Sequence, residues 1–183
     1  MSIKQIPLII SLLGCPGCGK STTRAGAFHL LKLAGVNCEE VTEFAKDLTW
    51  EGRKMALSCQ PYVFGKQLRN MERLFGQVDV IITDSPIILS RYYAKKYMAD
   101  AYHPSFLDFV TEQSKRMGGL AYYLKRVKPY SPIGRNQTES ESDQLGNELK
   151  DMLDEIGYEY KMIDGDEQAP ALIAKEVLEM ISQ

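Results

Sequence analysis

The sequence predicts an α/β domain in which helices cover both faces of a parallel sheet. Strand-like stretches alternate with helical ones through all 183 residues, a pattern that favours right-handed βαβ units. The first stretch, IPLIISLLG, is continuously apolar, as expected of a strand that is buried on both faces. The length is that of one ordinary domain, and no repeat or linker divides the chain. We therefore expect a single domain over residues 1–183.

The segments follow one another in a regular order. Strands are expected at 6–14, 36–43, 78–84, 120–127 and 158–164. Helices are expected at 20–35, 45–57, 62–76, 88–99, 104–117, 142–157 and 169–182. Gly35 ends the first helix, whose apolar side is expected to contain Ala25, Phe28, Leu31 and Leu33. The segment after the fourth strand is rich in Pro, Gly and Ser and is expected to be a loop.

Composition restricts the classes of function. The net charge of −2 and a pI of about 5.8 argue against a general electrostatic binder of nucleic acid, but leave room for a local basic site. No apolar run reaches the roughly 18 residues of a membrane span. In a chain of this length, four cysteines do not form a disulfide framework. We expect a cytoplasmic protein with reduced thiols at Cys15, Cys18, Cys38 and Cys59.

The stretch LLGCPGCGKST, residues 12–22, allows three interpretations. It resembles the end of a lipoprotein signal before Cys15, a CxxC redox or metal-binding pair, and a phosphate-binding loop. The loop interpretation is favoured because the stretch fits G-x-x-x-x-G-K-[ST] at every fixed position, between a strand and a helix. Processing before Cys15 would remove the first strand of the sheet. Redox chemistry at Cys15 and Cys18 would compete with a bound nucleotide.

This loop predicts a site for ATP. Glycines let a phosphate chain lie against bare backbone, where successive N–H groups and a helix N-terminus bind the anion. Lys20 would reach the β- and γ-phosphates, and the Ser21 hydroxyl would ligate Mg²⁺. ATP and Mg²⁺ are therefore the expected cofactors. The predicted nucleotide-binding residues are Gly14, Cys15, Pro16, Gly17, Cys18, Gly19, Lys20, Ser21 and Thr22.

Two carboxylates are expected at the edge of the sheet where ligands bind. Asp84 ends the apolar strand VDVIITD, which is the usual position of a carboxylate near Mg²⁺. Glu43 ends the second strand and is the first choice for the group that orients or deprotonates an acceptor hydroxyl. Asp47 is the second choice, and Asp84 could serve both purposes. The alternative for Glu43 is a solvated helix-capping side chain.

Charge changes sign along the chain at the predicted loop. Residues 113–138 contain six Lys or Arg and no acid, whereas residues 139–167 contain eleven acids and two Lys. Arg126, Lys128 and Arg135 follow the fourth strand, where a lid at roughly 126–140 would close over ATP. We expect Arg126 and Arg135 to stabilise the transferring phosphoryl group, and Lys128 to hold phosphates of the acceptor. A solvated basic loop is the alternative.

The acceptor pocket is expected between the second and third strands, with a further face on the RYYAKKY helix. Aromatic rings, an amide and a guanidinium would suit a nucleobase, while core packing is the alternative for the rings. Arg91 and its helix could contact a polynucleotide or be solvated. The residues considered are Arg53, Tyr62, Phe64, Gln67, Arg69 and Arg91, of which Arg53, Phe64, Gln67, Arg91 and also Lys128 are predicted to bind the acceptor.

On four motifs the chain resembles the P-loop kinases of the nucleoside and nucleotide kinase group, in particular compact bacterial and phage proteins similar to nicotinamide riboside kinase. The motifs are GCPGCGKST, EVTEFAKD, QPYVFGKQLRNMERLFGQVDVIITDSP and RVKPYSPIGR. The resemblance implies a three-layer P-loop NTPase fold. Its five-stranded parallel sheet would have the order 2-3-1-4-5, with helices on both faces and a lid after strand four.

The resemblance also implies an activity, that of an Mg²⁺-ATP-dependent phosphotransferase acting on a hydroxyl of a nucleoside- or nucleotide-type acceptor. Its most specific implication is 5-hydroxymethyluracil in phage DNA; a free nucleoside or a nucleoside monophosphate is the alternative. The chain lacks the D-G-F/Y-P-R run of adenylate and thymidylate kinases, and TEF replaces the Glu-Pro of many deoxynucleoside kinases. A regulatory ATPase and an ATP-binding module without an acceptor are alternatives of another class.

Overall fold

The computed structural model describes residues 5–98, 101–133 and 138–182. Within them, five parallel strands form one sheet of order β2-β3-β1-β4-β5. The strands are β1 (Leu8–Leu13), β2 (Cys38–Val41), β3 (Val80–Thr83), β4 (Leu120–Lys125) and β5 (Lys161–Asp164). The α/β class, the parallel sheet and its strand order are therefore confirmed.

Helices connect the strands in the alternation expected of βαβ units. They are α1 (Lys20–Leu33), α2 (Phe44–Trp50), α3 (Lys54–Ser58), α4 (Gln60–Glu72), α5 (Leu89–Met98), α6 (Pro104–Met117), α7 (Glu139–Glu155) and α8 (Ala169–Ile181). None of the described helices combines the length and apolar character that crossing a membrane requires.

The central strand β1 separates two hydrophobic cores. Ile9 and Leu13 point to the core that α4, α5, α6 and α7 cover, while Ile10 and Leu12 point to the core beneath α1 and α8. These four side chains are buried, which explains why the stretch is apolar throughout and not alternating. Burial on both faces fixes the direction of β1, and with it the position of the loop that follows.

Strand register places the ends of β1 and β3 side by side. Ser11 pairs with Thr83, so Gly14 and Asp84 both follow the carboxyl ends of neighbouring strands. The chain leaves β1 with β3 on one side and β4 on the other, which is the point in such sheets where a crevice opens. The fold thus brings the predicted phosphate loop and Asp84 to one edge.

The buried face of α1 differs from the predicted one. Thr23, Ala27 and Leu31 are buried, whereas Leu33 is 73% exposed and Ala25 is also exposed. The face is set by packing against α8, where a Cβ at Gly26 would lie 2.9 Å from the Pro170 ring. Apolar spacing alone did not show which side of the helix this close contact would select.

Two helix boundaries also differ. The helix expected at 45–57 is divided into α2 and α3, because Gly52 takes a φ of 68° that ends the first of them. Helix α7 begins three residues earlier than expected, at a capping box in which Thr138 and Glu141 satisfy each other's backbone N–H groups. The T-x-x-E spacing of this box was readable in the sequence and was overlooked.

The region of the predicted lid contains no helix or strand between residues 126 and 133. Ile133 lines the cleft described below, so this segment reaches the site. Arg135, predicted to stabilise the phosphoryl group, lies outside the described residues. The lid itself stays a prediction.

Candidate active site

The candidate site is a cleft of about 610 Å³ at the carboxyl ends of β1 and β3. One wall is the loop after β1 and the start of α1, and the other is formed by residues of α2 to α5. Lys20, Ser21, Glu43, Gln67 and Asp84 all line it. The fold therefore brings together the predicted phosphate loop, both predicted carboxylates and one predicted acceptor residue.

Glycine is required at two positions of the loop. Gly14 has a φ of 132°, and a Cβ there would lie 2.6 Å from the Leu124 carbonyl oxygen and 2.7 Å from the Cys18 sulfur. Gly19 has a φ of 100° and precedes α1, whose first turn has neither a side-chain cap nor an acidic residue. The first N–H groups of α1 are therefore available to an anion, as the phosphate-loop interpretation requires.

The Lys20 ammonium lies across this loop. Its Nζ donates hydrogen bonds to the carbonyl oxygens of Gly14 (2.8 Å) and Cys15 (2.9 Å). A cation, an uncapped helix N-terminus and backbone too tight for side chains thus meet in one concave surface. These features fit the triphosphate of ATP, for which Ser21 and Thr22 are also exposed along the cleft.

The two cysteines of the loop face the protein interior. Cys15 and Cys18 are buried, reduced and absent from the cleft lining. A hydrogen bond from Cys15 lowers the pKa of Cys18, an effect that burial opposes and the Lys20 charge reinforces. The same pairing and burial raise the pKa of Cys15. Their sulfur atoms therefore pack behind the cradle and do not line the nucleotide side of it.

Asp84 is held by an arginine that the sequence analysis did not single out. The Arg24 Nη1 donates to Asp84 Oδ1 at 2.8 Å, and its Nε donates to Glu40 Oε2 at 3.0 Å. Asp84 is only 3% exposed, so this charge pair is largely removed from water. Arg24 lies one helical turn after Lys20 on α1, on the side that faces the ends of β2 and β3.

The residues present fit a Mg²⁺ ion that arrives with a nucleotide. No three His, Cys, Asp or Glu side chains group into a metal cage within the described residues. Mg²⁺ usually binds one or two protein oxygens together with phosphate oxygens and waters, and seldom a full protein cage. Ser21 and Asp84 line the same cleft and offer this small set of oxygens.

Glu43 is placed to act on a second ligand. It is the residue before α2, in extended backbone (φ −73°, ψ 106°), and its side chain does not cap that helix. Burial raises the pKa of Glu43, the Lys20 charge opposes this, and the Asp84 charge adds to it. Glu43 lines the cleft, whereas Asp47, the second choice for the same task, is exposed and outside the lining.

Among the predicted acceptor residues, Gln67 alone lines the cleft. Its amide, however, already has backbone partners. The Gln67 Oε1 accepts from the Phe44 N–H at 3.1 Å, and its Nε2 donates to the Thr42 carbonyl at 3.2 Å. The side chain is buried and links α4 to the two residues that flank Glu43.

The other predicted acceptor residues lie elsewhere. Phe64 belongs to the core, where its ring meets Phe106 and Phe109 edge to face. Arg53 is exposed at the turn between α2 and α3 and pairs with Glu51. Neither side chain lines the cleft. A Phe and an Arg near the site in sequence did not show which way each would point.

The predicted cations are also directed away from the cleft. Arg126 pairs with Asp143 at the start of α7, and Arg91 donates to Thr111 on α6. Lys128 is exposed. None of the three lines the cleft, so the arrangement described here does not bring them to the phosphate loop.

Aromatic and basic side chains that the sequence analysis did not assign complete the second wall. Tyr93 and Tyr97 are one turn apart on α5, and their rings stack with centroids 6.1 Å apart and planes 7° from parallel. Trp50, at the end of α2, is 67% exposed and lines the cleft together with Lys46 and Lys54. The i, i+4 spacing of the tyrosines was the available signal, because such residues share one helix face.

Comparisons with known proteins agree with this fold. The structure of NadR in complex with NR has a TM-score of 0.65 and 16% identity, over 95% of this chain and 51% of that chain. The structure of NadR in complex with NAD and AMP-PNP has a TM-score of 0.60 and 14% identity, over 95% of this chain and 49% of that one. This chain thus spans about half the length of these neighbours.

At such identities the likeness shows the P-loop NTPase-like fold alone. No curated protein sequence is a significant match to the chain. The family AAA_28, described as "AAA domain", matches residues 9–169, from β1 to the start of α8. The match includes the phosphate loop, Glu43 and Asp84, and the chain therefore belongs to the AAA_28 family.

Proposed function

We propose that this protein is an Mg²⁺-ATP-dependent phosphotransferase that acts on a hydroxyl group of a nucleoside- or nucleotide-type acceptor. The observation that carries the proposal is the shared cleft, in which an uncapped phosphate loop lies opposite a half-buried, uncapped glutamate. A hydrolytic or purely binding module needs the first feature and has no need of the second.

The residues divide the reaction between them. Lys20 and the first N–H groups of α1 would hold the phosphates, and Ser21 with Asp84 would hold the metal that neutralises them. Glu43 would accept the proton of the acceptor hydroxyl. The acceptor oxygen then forms its bond to the γ-phosphorus as the bond to the ADP oxygen breaks. The raised pKa of Glu43 suits this step, because it makes the carboxylate a stronger base.

The second wall supports an acceptor with a flat ring. Trp50, Tyr93 and Tyr97 offer aromatic faces on which a nucleobase can stack. The fold neighbours also support ligands of this kind, since one was crystallised with NR and the other with NAD and AMP-PNP. Within this class, 5-hydroxymethyluracil in DNA and free nucleosides or nucleoside monophosphates are the specific candidates.

A transfer assay tests the proposal. ATP labelled at the γ-phosphate is incubated with nucleosides, nucleoside monophosphates, and oligonucleotides with and without hydroxymethylpyrimidines. We expect the label on one acceptor class, and no label with Lys20→Ala. Release of inorganic phosphate alone would favour an ATPase, and tight ATP binding without turnover would favour a binding module.

A further inference from the structure

Gln67 bonds to the backbone on both sides of Glu43. From α4, its amide donates to the Thr42 carbonyl and accepts from the Phe44 N–H. The side chain is 3% exposed, so these bonds are largely shielded from water. A single side chain thus fixes the residue before and the residue after the predicted base.

The direction of the amide follows from its partners. A carbonyl oxygen can only accept and a backbone N–H can only donate, so rotating the Gln67 amide by half a turn would leave both contacts repulsive. The bond to Phe44 also satisfies an N–H at the start of α2, where helices have no internal partner for such groups.

This arrangement leaves the Glu43 side chain free. Residues directly before a helix commonly use their own side chain to accept from its first N–H groups. Glu43 does not, and its carboxylate lines the cleft. Gln67 thus takes over part of the helix start, and its two bonds hold the Glu43 backbone in the extended conformation that directs this side chain.

We propose that Gln67 is a positioning residue that holds Glu43 at the acceptor side of the cleft and does not itself bind the acceptor. The inference rests on the proposed function of Glu43 as the base. It replaces the sequence-based expectation that Gln67 contacts the acceptor, because its amide oxygen and nitrogen both already have partners.

A double-mutant cycle distinguishes positioning from a general structural role. Gln67→Met keeps the size of the side chain and removes both bonds. Since misplacement by about 1 Å can cost about 100-fold, we expect kcat to fall by about 10- to 100-fold, with KM for ATP changed by less than about twofold. In the Glu43→Gln background the same substitution should change kcat by less than about twofold, because the group it positions is already lost.

The control is Ser114→Ala. Its hydroxyl is equally buried and donates to the Val110 carbonyl within α6, outside the cleft lining. This variant also loses a buried hydrogen bond, and kcat should stay within about twofold of wild type. If Gln67→Met does not fold, Gln67→Glu retains an oxygen for Phe44 and should show a smaller fall in kcat. An equal loss from Gln67→Met in both backgrounds would overturn the proposal.

An NMR titration with ¹³C-labelled glutamate tests the inference without any catalytic readout. Burial raises the pKa of Glu43, and release of the segment should hydrate the carboxylate and move its pKa towards the ordinary value. Charged and titratable groups around it contribute to the starting value, and none of them is altered in the variant. They are Lys20, Lys46, Asp47, Asp84 and Tyr93.

The titration also separates two kinds of failure. If wild type labels no acceptor but Gln67→Met still lowers the pKa of Glu43, the proposed function fails and the positioning stands. If transfer occurs and the pKa of Glu43 is the same in both proteins, the positioning fails and the proposed function stands.

Discussion

Gly165, directly after β5, should be unable to accept a side chain. Its N–H donates to the Lys125 carbonyl at 2.8 Å, and its backbone lies against the phosphate loop. A Cβ at this position would lie 2.1 Å from the Cys18 carbonyl oxygen and 2.8 Å from that of Lys125. Both contacts are with backbone, so a side-chain rotation cannot relieve them.

The magnitude follows from these distances. Real Cβ atoms essentially never approach another heavy atom within 3.0 Å, so Gly165→Ala must move the loop at Cys18 by about 1 Å. Because a shift of about 1 Å can cost about 100-fold, we expect kcat/KM for ATP to fall by that order. Overpacking of this kind also lowers the free energy of unfolding by about 1–3 kcal/mol.

The assay combines titration calorimetry with ATP, steady-state kinetics and urea denaturation. Gly65→Ala is the matched control, because nothing lies within 4 Å of a Cβ at that position in α4. It should leave ATP binding unchanged and raise the free energy of unfolding by about 0.5–1 kcal/mol. Wild-type ATP affinity and stability in Gly165→Ala would refute the reasoning that the loop is held rigidly against β5.

Further predictions concern the charges of the site and one helix cap. Lys20→Ala should abolish transfer to the acceptor, and normal activity in the transfer assay would contradict the site assignment. Glu43→Gln should lower kcat while calorimetry shows unchanged ATP binding; unchanged kcat would move the base to another carboxylate. In wild type, kcat/KM should fall as the pH drops through the raised pKa of Glu43, above the ordinary glutamate value of about 4.3, because the base becomes protonated. Arg24→Met should lower the free energy of unfolding by about 3–5 kcal/mol in urea denaturation, since it leaves buried Asp84 without its partner, and Asp84→Asn in the same chain should restore part of the loss. Thr138→Ala should cost about 1 kcal/mol by the same measurement, as expected for a lost helix cap, and no change would show that the capping box does not stabilise α7.

Glu43→Gln should also separate stability from activity. Folding places this carboxyl where its pKa is raised, so the ionised form lowers the free energy of unfolding at neutral pH. Removing the charge should therefore stabilise the protein above the raised pKa. The gain should disappear as the pH falls below the ordinary glutamate pKa, where the group is protonated in both the folded and the unfolded chain.

The sequence predicted those features that depend on local pattern. Gly14, Gly19, Lys20 and Ser21 are recognisable because their spacing follows directly from the geometry of a loop between a strand and a helix. The position of Asp84 at the ligand-binding edge follows from an apolar strand and the parallel arrangement. Five strands and their alternation with helices were predictable for the same reason.

Features that depend on tertiary contacts were not predictable. Arg24 is one of several polar residues on α1, and only the pairing of β1 with β3 brings Asp84 within its reach. Phe64 and Arg126 were assigned to the site from their distance along the chain, but a core and an acidic helix start respectively hold them elsewhere. The role of Gln67 could not be read either, since a glutamine does not indicate which partners its amide will find.

The central claim is that one cleft both binds ATP and presents Glu43 to an acceptor. Single-turnover rapid quench with γ-labelled ATP, an active acceptor and excess enzyme measures this directly. The account predicts that wild type transfers the label to the acceptor hydroxyl, while Glu43→Gln binds ATP but transfers the label far more slowly. Label released as inorganic phosphate by wild type, or equal transfer rates in the two proteins, would contradict it.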